Sequence, residues 1–266
     1  MADWRLIEIE EHDAFMNMAL DEACAEAIVR RDVPPTMRFY LWNPDAVSIG
    51  YFQGIEDEVN IVKCAEEKVD VVRRRTGGGA LYHACAGEIA YSVIAPAQWL
   101  PRGITDSYQI ICNWIISALQ SLNINAEFRP INDIALAAGT KDAQGKTTAG
   151  QIISSHAQTR RNGIFLQHGT ILYQVDTKKM VSLLKTGQAE ISEQMIERKK
   201  DGAREQLISL RELRPELQLR DLYHALVNEF RRGKKVEWGE WTLAELARAQ
   251  ELAENKYSQR DWNELR

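Results

Sequence analysis

The chain has 266 residues, 45% of them hydrophobic, and a net charge of -5, enough to bury a substantial core as one large domain or one with a small appendage. A sequence pI of about 5.7 argues against sequence-independent nucleic-acid binding, and a mean hydropathy of -0.36 with no long uncharged apolar run excludes a transmembrane helix. Met1-Ala2-Asp3-Trp4-Arg5 lacks the order of a signal peptide, and Cys24, Cys64, Cys85 and Cys112 show no zinc or disulfide spacing, so a reducing cytoplasm is the expected location.

Trp4 to Ile9 alternates as a strand, and a helix opens near Phe15 with Asp13 as its cap, ending before Pro34-Pro35. Two strands follow, Met37 to Trp42 and Val47 to Phe52, joined through Asn43-Pro44-Asp45. Gly50 inside the second predicts a close backbone approach, by a ligand among other candidates. Asp70-Val71-Val72 and Glu88 to Ile94 read as strands on either side of a glycine-rich loop. Thr105 to Leu122 is an amphipathic helix with Ile111, Ile115 and Leu119 on one face and Cys112 as a small buried hydrophobe. Gly163 to Leu172 suits a buried strand. From about residue 177 the chain becomes mainly helical, with a charged stretch from Glu190 to Glu205, amphipathic helices at Leu219 to Phe230 and Leu243 to Tyr257, and a short strand near Val236.

The loop reads Arg73-Arg74-Arg75-Thr76-Gly77-Gly78-Gly79-Ala80-Leu81-Tyr82-His83. Three glycines leave no Cβ between backbone and ligand, and their amides can point at an anion. The neighbouring guanidiniums suit carboxylate or phosphate. The glycine spacing fits neither a Walker loop nor a dinucleotide fingerprint. This string resembles the signature of the lipoate–protein ligase A family, of the biotin/lipoate ligase and octanoyltransferase superfamily. Asn17 to Ala23, Arg38-Phe39-Tyr40, Gly50-Tyr51-Phe52-Gln53, Asn132-Asp133-Ile134, Leu166-Gln167-His168-Gly169-Thr170 and the late Lys256-Tyr257 and Trp262-Asn263 extend the resemblance over nearly the whole chain.

The resemblance implies an α/β (α+β) fold, a mixed sheet flanked by helices, with residues 1–266 forming one catalytic domain. It implies ATP-dependent lipoate attachment through lipoyl-adenylate, with lipoate as substrate and Mg2+ near Asp133. Arg74, Arg75, Thr76, Gly77, Gly78, Gly79, Ala80, Leu81 and Tyr82 would wrap acyl group and nucleotide, Asn132 and Asp133 would stand near the phosphate, and His168 would support the pocket. His83 is a candidate catalytic group. The family's central lysine falls on Ile152 or, counted from the other side, on Thr147 with Lys146 one residue early, so Lys146 is the candidate ammonium. The acceptor implied is a lipoyl carrier domain, of 2-oxoacid dehydrogenase E2 or a glycine-cleavage H-like protein, and a separate accessory ligase subunit is expected. Two rivals stand beside the ligase. One is octanoyl or lipoyl transfer through an acyl-thioester, for which Cys85 is the one cysteine beside the loop. The other is a non-catalytic pseudo-ligase.

Overall fold

The computed structural model describes residues 3–185, 197–200 and 203–266. The elements in chain order are β1 (Trp4–His12), α1 (Ala14–Arg30), β2 (Thr36–Trp42), β3 (Ala46–Ile49), α2 (Ile55–Glu58), α3 (Ile61–Glu66), β4 (Asp70–Arg73), β5 (Leu81–His83) and β6 (Glu88–Pro96). Then come α4 (Ile104–Ser121), β7 (Ala126–Arg129), β8 (Asp133–Leu136), β9 (Ile152–Arg161) and β10 (Ile164–Leu172). The last part holds α5 (Thr177–Leu183), β11 (Glu197–Lys200), β12 (Ala203–Gln206), α6 (Leu210–Leu213), α7 (Leu219–Arg231), β13 (Val236–Gly239), α8 (Leu243–Leu252) and α9 (Arg260–Asn263).

Eight strands form one mixed sheet in the order β13-β1-β2-β6-β10-β9-β8-β7. β1 runs parallel to both of its neighbours, β13 and β2, and the remaining pairs of this sheet are antiparallel. Both faces are covered, because the strand period of two sends alternate residues to opposite sides. On β2, Met37 and Phe39 pack with α4 and α7, while Tyr40 and Trp42 pack with α1 and α8. On β6, Ile89, Tyr91, Val93 and Ala95 join the first core, and Ala90 and Ile94 join the second. A mixed α/β fold with a helix-flanked sheet is what the structure has. A smaller sheet, β4-β3-β5, carries the glycine loop between β4 and β5. The charged stretch expected from Glu190 falls largely outside the described residues; its end contributes the β11–β12 hairpin.

Two buried arginines tie the late part of the chain to the early part. Arg5 on β1 donates to both carboxylate oxygens of Glu245 at 2.6 and 2.9 Å, to the Glu240 carbonyl and to Thr36 Oγ1. Glu245 also closes the capping box of α8 with Thr242. Arg73 is surrounded by main-chain carbonyls: Gly50, Tyr51 and Gln53 from one side, Trp262 and Asn263 from the other. The Asn263 side chain accepts the Arg73 amide at 2.7 Å, and Trp262 Nε1 donates to the Arg73 carbonyl.

Removing one member of a buried ion pair strands the other charge. Glu245→Ala should therefore cost about 3–5 kcal/mol in urea unfolding. A loss near zero would show that Arg5 is neutralised elsewhere.

Candidate functional site

The site grows from a close approach. Strand β3 runs through Ser48 and Ile49 to Gly50, and the glycine loop folds back over it. A Cβ on Gly50 would sit 2.0 Å from the Gly78 carbonyl oxygen, so glycine is required there. The approach is made by the protein's own loop. Gly78 has φ +99°, a backbone conformation natural only to glycine. Arg74 closes the loop from within, donating to the Gly77 and Gly79 carbonyls and, through Nη1, to the Ser48 carbonyl and hydroxyl at 2.9 and 2.7 Å.

Beneath the loop lies a narrow cleft, half open to solvent, with an interior cavity of about 50 Å³. Arg74, Gly78, Gly79, Leu81, His83, Asn132 and His168 line it, as the motif suggests. Apolar surface comes from Met18, Tyr40, Trp42 and Ala90, and β9 and β10 add Ser155, His156 and Thr170. Other expected residues stand outside the lining. Arg75 pairs with Glu22 at 3.4 Å, and Thr76 bonds His168 Nε2 at 2.8 Å. Tyr82 donates to Asp45, Ala80 is packed in the core beside the smaller sheet, and Gly77 is half-buried with open space where a Cβ would stand. Asp133 is buried on β8, paired in register with Arg129 and Ser155.

Lys146 sits in an exposed turn whose backbone is fixed by Asp142, and it borders a different depression with Asp142, Gln144 and Glu212. Ile152, the alternative position, is a fully buried apolar residue. Among the described residues no lysine lines the cleft. No group of three or more His, Cys, Asp or Glu is placed to hold a metal among them either.

Three histidines wall the cleft. His156, to which the sequence assigns no role, is the center of a directional hydrogen-bond chain. Gln167 donates to Tyr91 Oη, Tyr91 donates to His156 Nδ1, His156 Nε2–H donates to Ser154 Oγ, and Ser154 donates to the Thr170 carbonyl. These roles follow from the network, since Gln167 fills the acceptor side of the tyrosine hydroxyl. Burial pushes the His156 pKa down to about 3, with His168 adding repulsion, so the ring is neutral. Gly169 makes room for it; a Cβ there would meet His156 Nδ1 at 2.2 Å. His168 is also pushed down by burial, against the pull of Asp21 at 3.3 Å. His83 stacks on Trp42 at 4.1 Å, with Nε2 2.6 Å from Ser48 Oγ and Nδ1 2.6 Å from Glu88 Oε1. Ser48, Trp42 and Glu88 carry no local sequence signal; only strand pairing brings them to the site.

The model of the lipoyl protein ligase A/B catalytic domain matches residues 13–231. The chain is 33% identical to the octanoyltransferase LipM of Brevibacillus brevis, covering 99% of each chain, and 33% identical to that of Symbiobacterium thermophilum, covering 98% of each. Among solved structures it is similar to the bipartite lipoate protein ligase of an archaeal lipoylation system from Thermoplasma acidophilum, at 26% identity and TM-score 0.80 over 99% of this chain and 97% of that one. These full-length relatives overturn the expectation of ATP-dependent lipoate ligation. The remote Lys146 and the apolar Ile152 supply the physical reason: the ammonium that an adenylate needs is not in the cleft.

Two outcomes test this geometry. Gly50→Ala should loosen the loop, so amide exchange over residues 74–81 should quicken about tenfold or more, roughly 1.4 kcal/mol of local stability. Unchanged exchange would mean the loop has room to shift. Because the native state keeps His156 neutral while the unfolded state protonates it below pH 6.5, its contribution is complete above 6.5 and is lost as pH falls toward 3. His156→Gln should reduce the slope of stability against pH between 6.5 and about 5 by roughly 1.4 kcal/mol per unit. An identical slope in both proteins would show that His156 is protonated in the native state.

Proposed function

Because the chain belongs to the lipoyl protein ligase A/B catalytic-domain family, we propose that it is an acyltransferase moving an octanoyl group from a thioester donor to a lysine of a lipoyl carrier domain. The observation that carries this reading is the charge content of the cleft. A free carboxylic acid must be activated with phosphate, and that chemistry needs an ammonium or metal to hold the charge. A thioester arrives already activated. A cleft walled by Met18, Tyr40, Trp42, Leu81 and Ala90, with Arg74 as the one lysine or arginine among its described lining residues, suits an acyl chain and a thioester carbonyl.

The names of the relatives at 33% identity support the same reaction class. The Thermoplasma structure, which pairs a ligase with its E2 lipoyl domain, supports a lipoyl domain as acceptor; E2 domains and glycine-cleavage H-like proteins are the carriers to try. An accessory subunit closing over an adenylate has no part in this scheme.

The test supplies octanoyl-carrier thioester and a lipoyl domain without nucleotide. Octanoylated lysine should appear, unchanged by ATP or by a chelator. Lipoate-dependent ATP–pyrophosphate exchange, with no thioester-dependent transfer, would overturn the proposal.

A further inference from the structure

Transfer through an enzyme-bound acyl group requires a nucleophile, a base within hydrogen-bond reach and a third group that fixes the base. The four thiols do not provide the first. Cys24, Cys64 and Cys112 are buried in packed cores, and burial pushes Cys64 up to about 11 and Cys24 up to about 12. Cys85 is exposed on the turn that Asp45 holds, outside the cleft, and burial together with Glu11 and Asp45 pushes its pKa up as well. A thiol is a useful nucleophile only where its surroundings favour the thiolate.

Behind the cleft surface, reached through the lining residue His83, a hydroxyl, an imidazole and a carboxylate stand in series: Ser48, His83 and Glu88, joined by two contacts of 2.6 Å. With Glu88 taking Nδ1–H, the His83 Nε2 lone pair faces the serine hydroxyl, which is the tautomer a base requires. Trp42 covers one face of the ring and fixes its plane. Arg74 Nη1, 2.7 Å from Ser48 Oγ, stands where negative charge develops. Two buried polar atoms in this cluster, Trp42 Nε1 and Glu88 Oε2, have no hydrogen-bond partner among the described residues, an arrangement that bound molecules commonly complete. The series Thr76–His168–Asp21 is a weaker copy, with a final link of 3.3 Å and a carboxylate already shared with Arg38 and Ser92.

We infer that Ser48 carries the acyl group as an oxygen ester, with His83 as its base and Glu88 as the residue that orients His83. This rests on the acyl-transfer reading above. Ser48 lies one layer behind the cleft surface, beneath Arg74 and His83, and the donor carbonyl reaches Oγ by taking over the Arg74 contact. Oγ bonds to the thioester carbon as its proton moves to His83 Nε2. Arg74 then donates to the oxyanion. The carbon–sulfur bond breaks, and the donor leaves as a thiol with the proton from His83. The carrier lysine, as free amine, attacks the ester. Its proton passes through His83 to Oγ as the carbon–oxygen bond breaks, leaving an amide and free Ser48.

The experiment incubates the full chain with octanoyl-pantetheine, maps adducts by mass spectrometry, and in parallel follows octanoylation of a lipoyl domain. One octanoyl group should appear on Ser48, survive neutral hydroxylamine and persist in Cys85→Ala. It should vanish in Ser48→Ala and form about a hundredfold or more slowly in Glu88→Gln. Ser48→Cys should carry the group at the same position in a hydroxylamine-labile form, which tests the site even if the alanine variant does not fold. An adduct on Cys85, or lipoyl-domain octanoylation with no adduct anywhere, overturns the serine step alone. Absence of both adduct and octanoylated carrier overturns the transfer reading with it.

Discussion

A carboxylate with almost no solvent contact sits in the middle of α1, and the architecture of the site depends on how it is compensated. Stranding an ion away from water costs several kcal/mol unless charge and hydrogen bonds answer it. Burial works to raise the Asp21 pKa, but His168, Arg38 and Ser92 together hold it below the usual carboxylate range. Those partners come from β10, β2 and β6, so one charge pins a helix across three strands. Asn17, one turn earlier, adds its carbonyl and side-chain oxygen to Arg38. His168 then passes the constraint to Thr76 at the base of the glycine loop. A segment whose three glycines lose much conformational freedom on ordering is thereby anchored to the buried ion cluster of Asp21 and Arg38.

The consecutive arginines show how one sequence feature divides among different tasks. Arg73 spends its guanidinium on five backbone carbonyls and holds β4 against the end of the chain. Arg74 braces the loop and faces the cleft, and Arg75 turns to Glu22. A run of basic residues beside glycines suggests phosphate binding when read linearly. In three dimensions one guanidinium of the three lines the cleft, which lowers the charge available there and favours a neutral acyl ligand.

Much of the fold was legible because it follows from periodicity. The alternation on β2 and the helical spacing in α4 assign their faces without any tertiary information. The glycine loop was legible too, since its backbone demands particular residues. The limits were those of long-range pairing. Ser48 lies in the ordinary strand Ala46-Val47-Ser48-Ile49, and its meeting with His83 depends on the antiparallel register of β3 and β5. His156 lacked a signal because its partner Tyr91 comes from β6, two strands away across the sheet, and is itself held by Gln167 of β10. Gly50 was recognised as a point of close approach, yet the approaching group is the Gly78 carbonyl. Lys146 failed as a candidate for a local reason: the Asp142 carboxylate takes its amide and fixes the turn in solvent.

The bonds from Arg73 to Trp262 and Asn263 span about 190 positions of sequence, and they impose an order on the birth of the protein. A ribosome adding about 5–20 residues per second makes the basic run roughly 10–40 s before it makes the residues that cradle it. Through that interval Arg73 has Gly50, Tyr51 and Gln53, but the Trp262 and Asn263 carbonyls, two of its five, are still unwritten. The strand that leads into the loop therefore lacks its last supports on the nascent chain until translation has passed Asn263. The cleft is among the last parts of the molecule to be completed, although most of the residues that line it are among the first two thirds to be made.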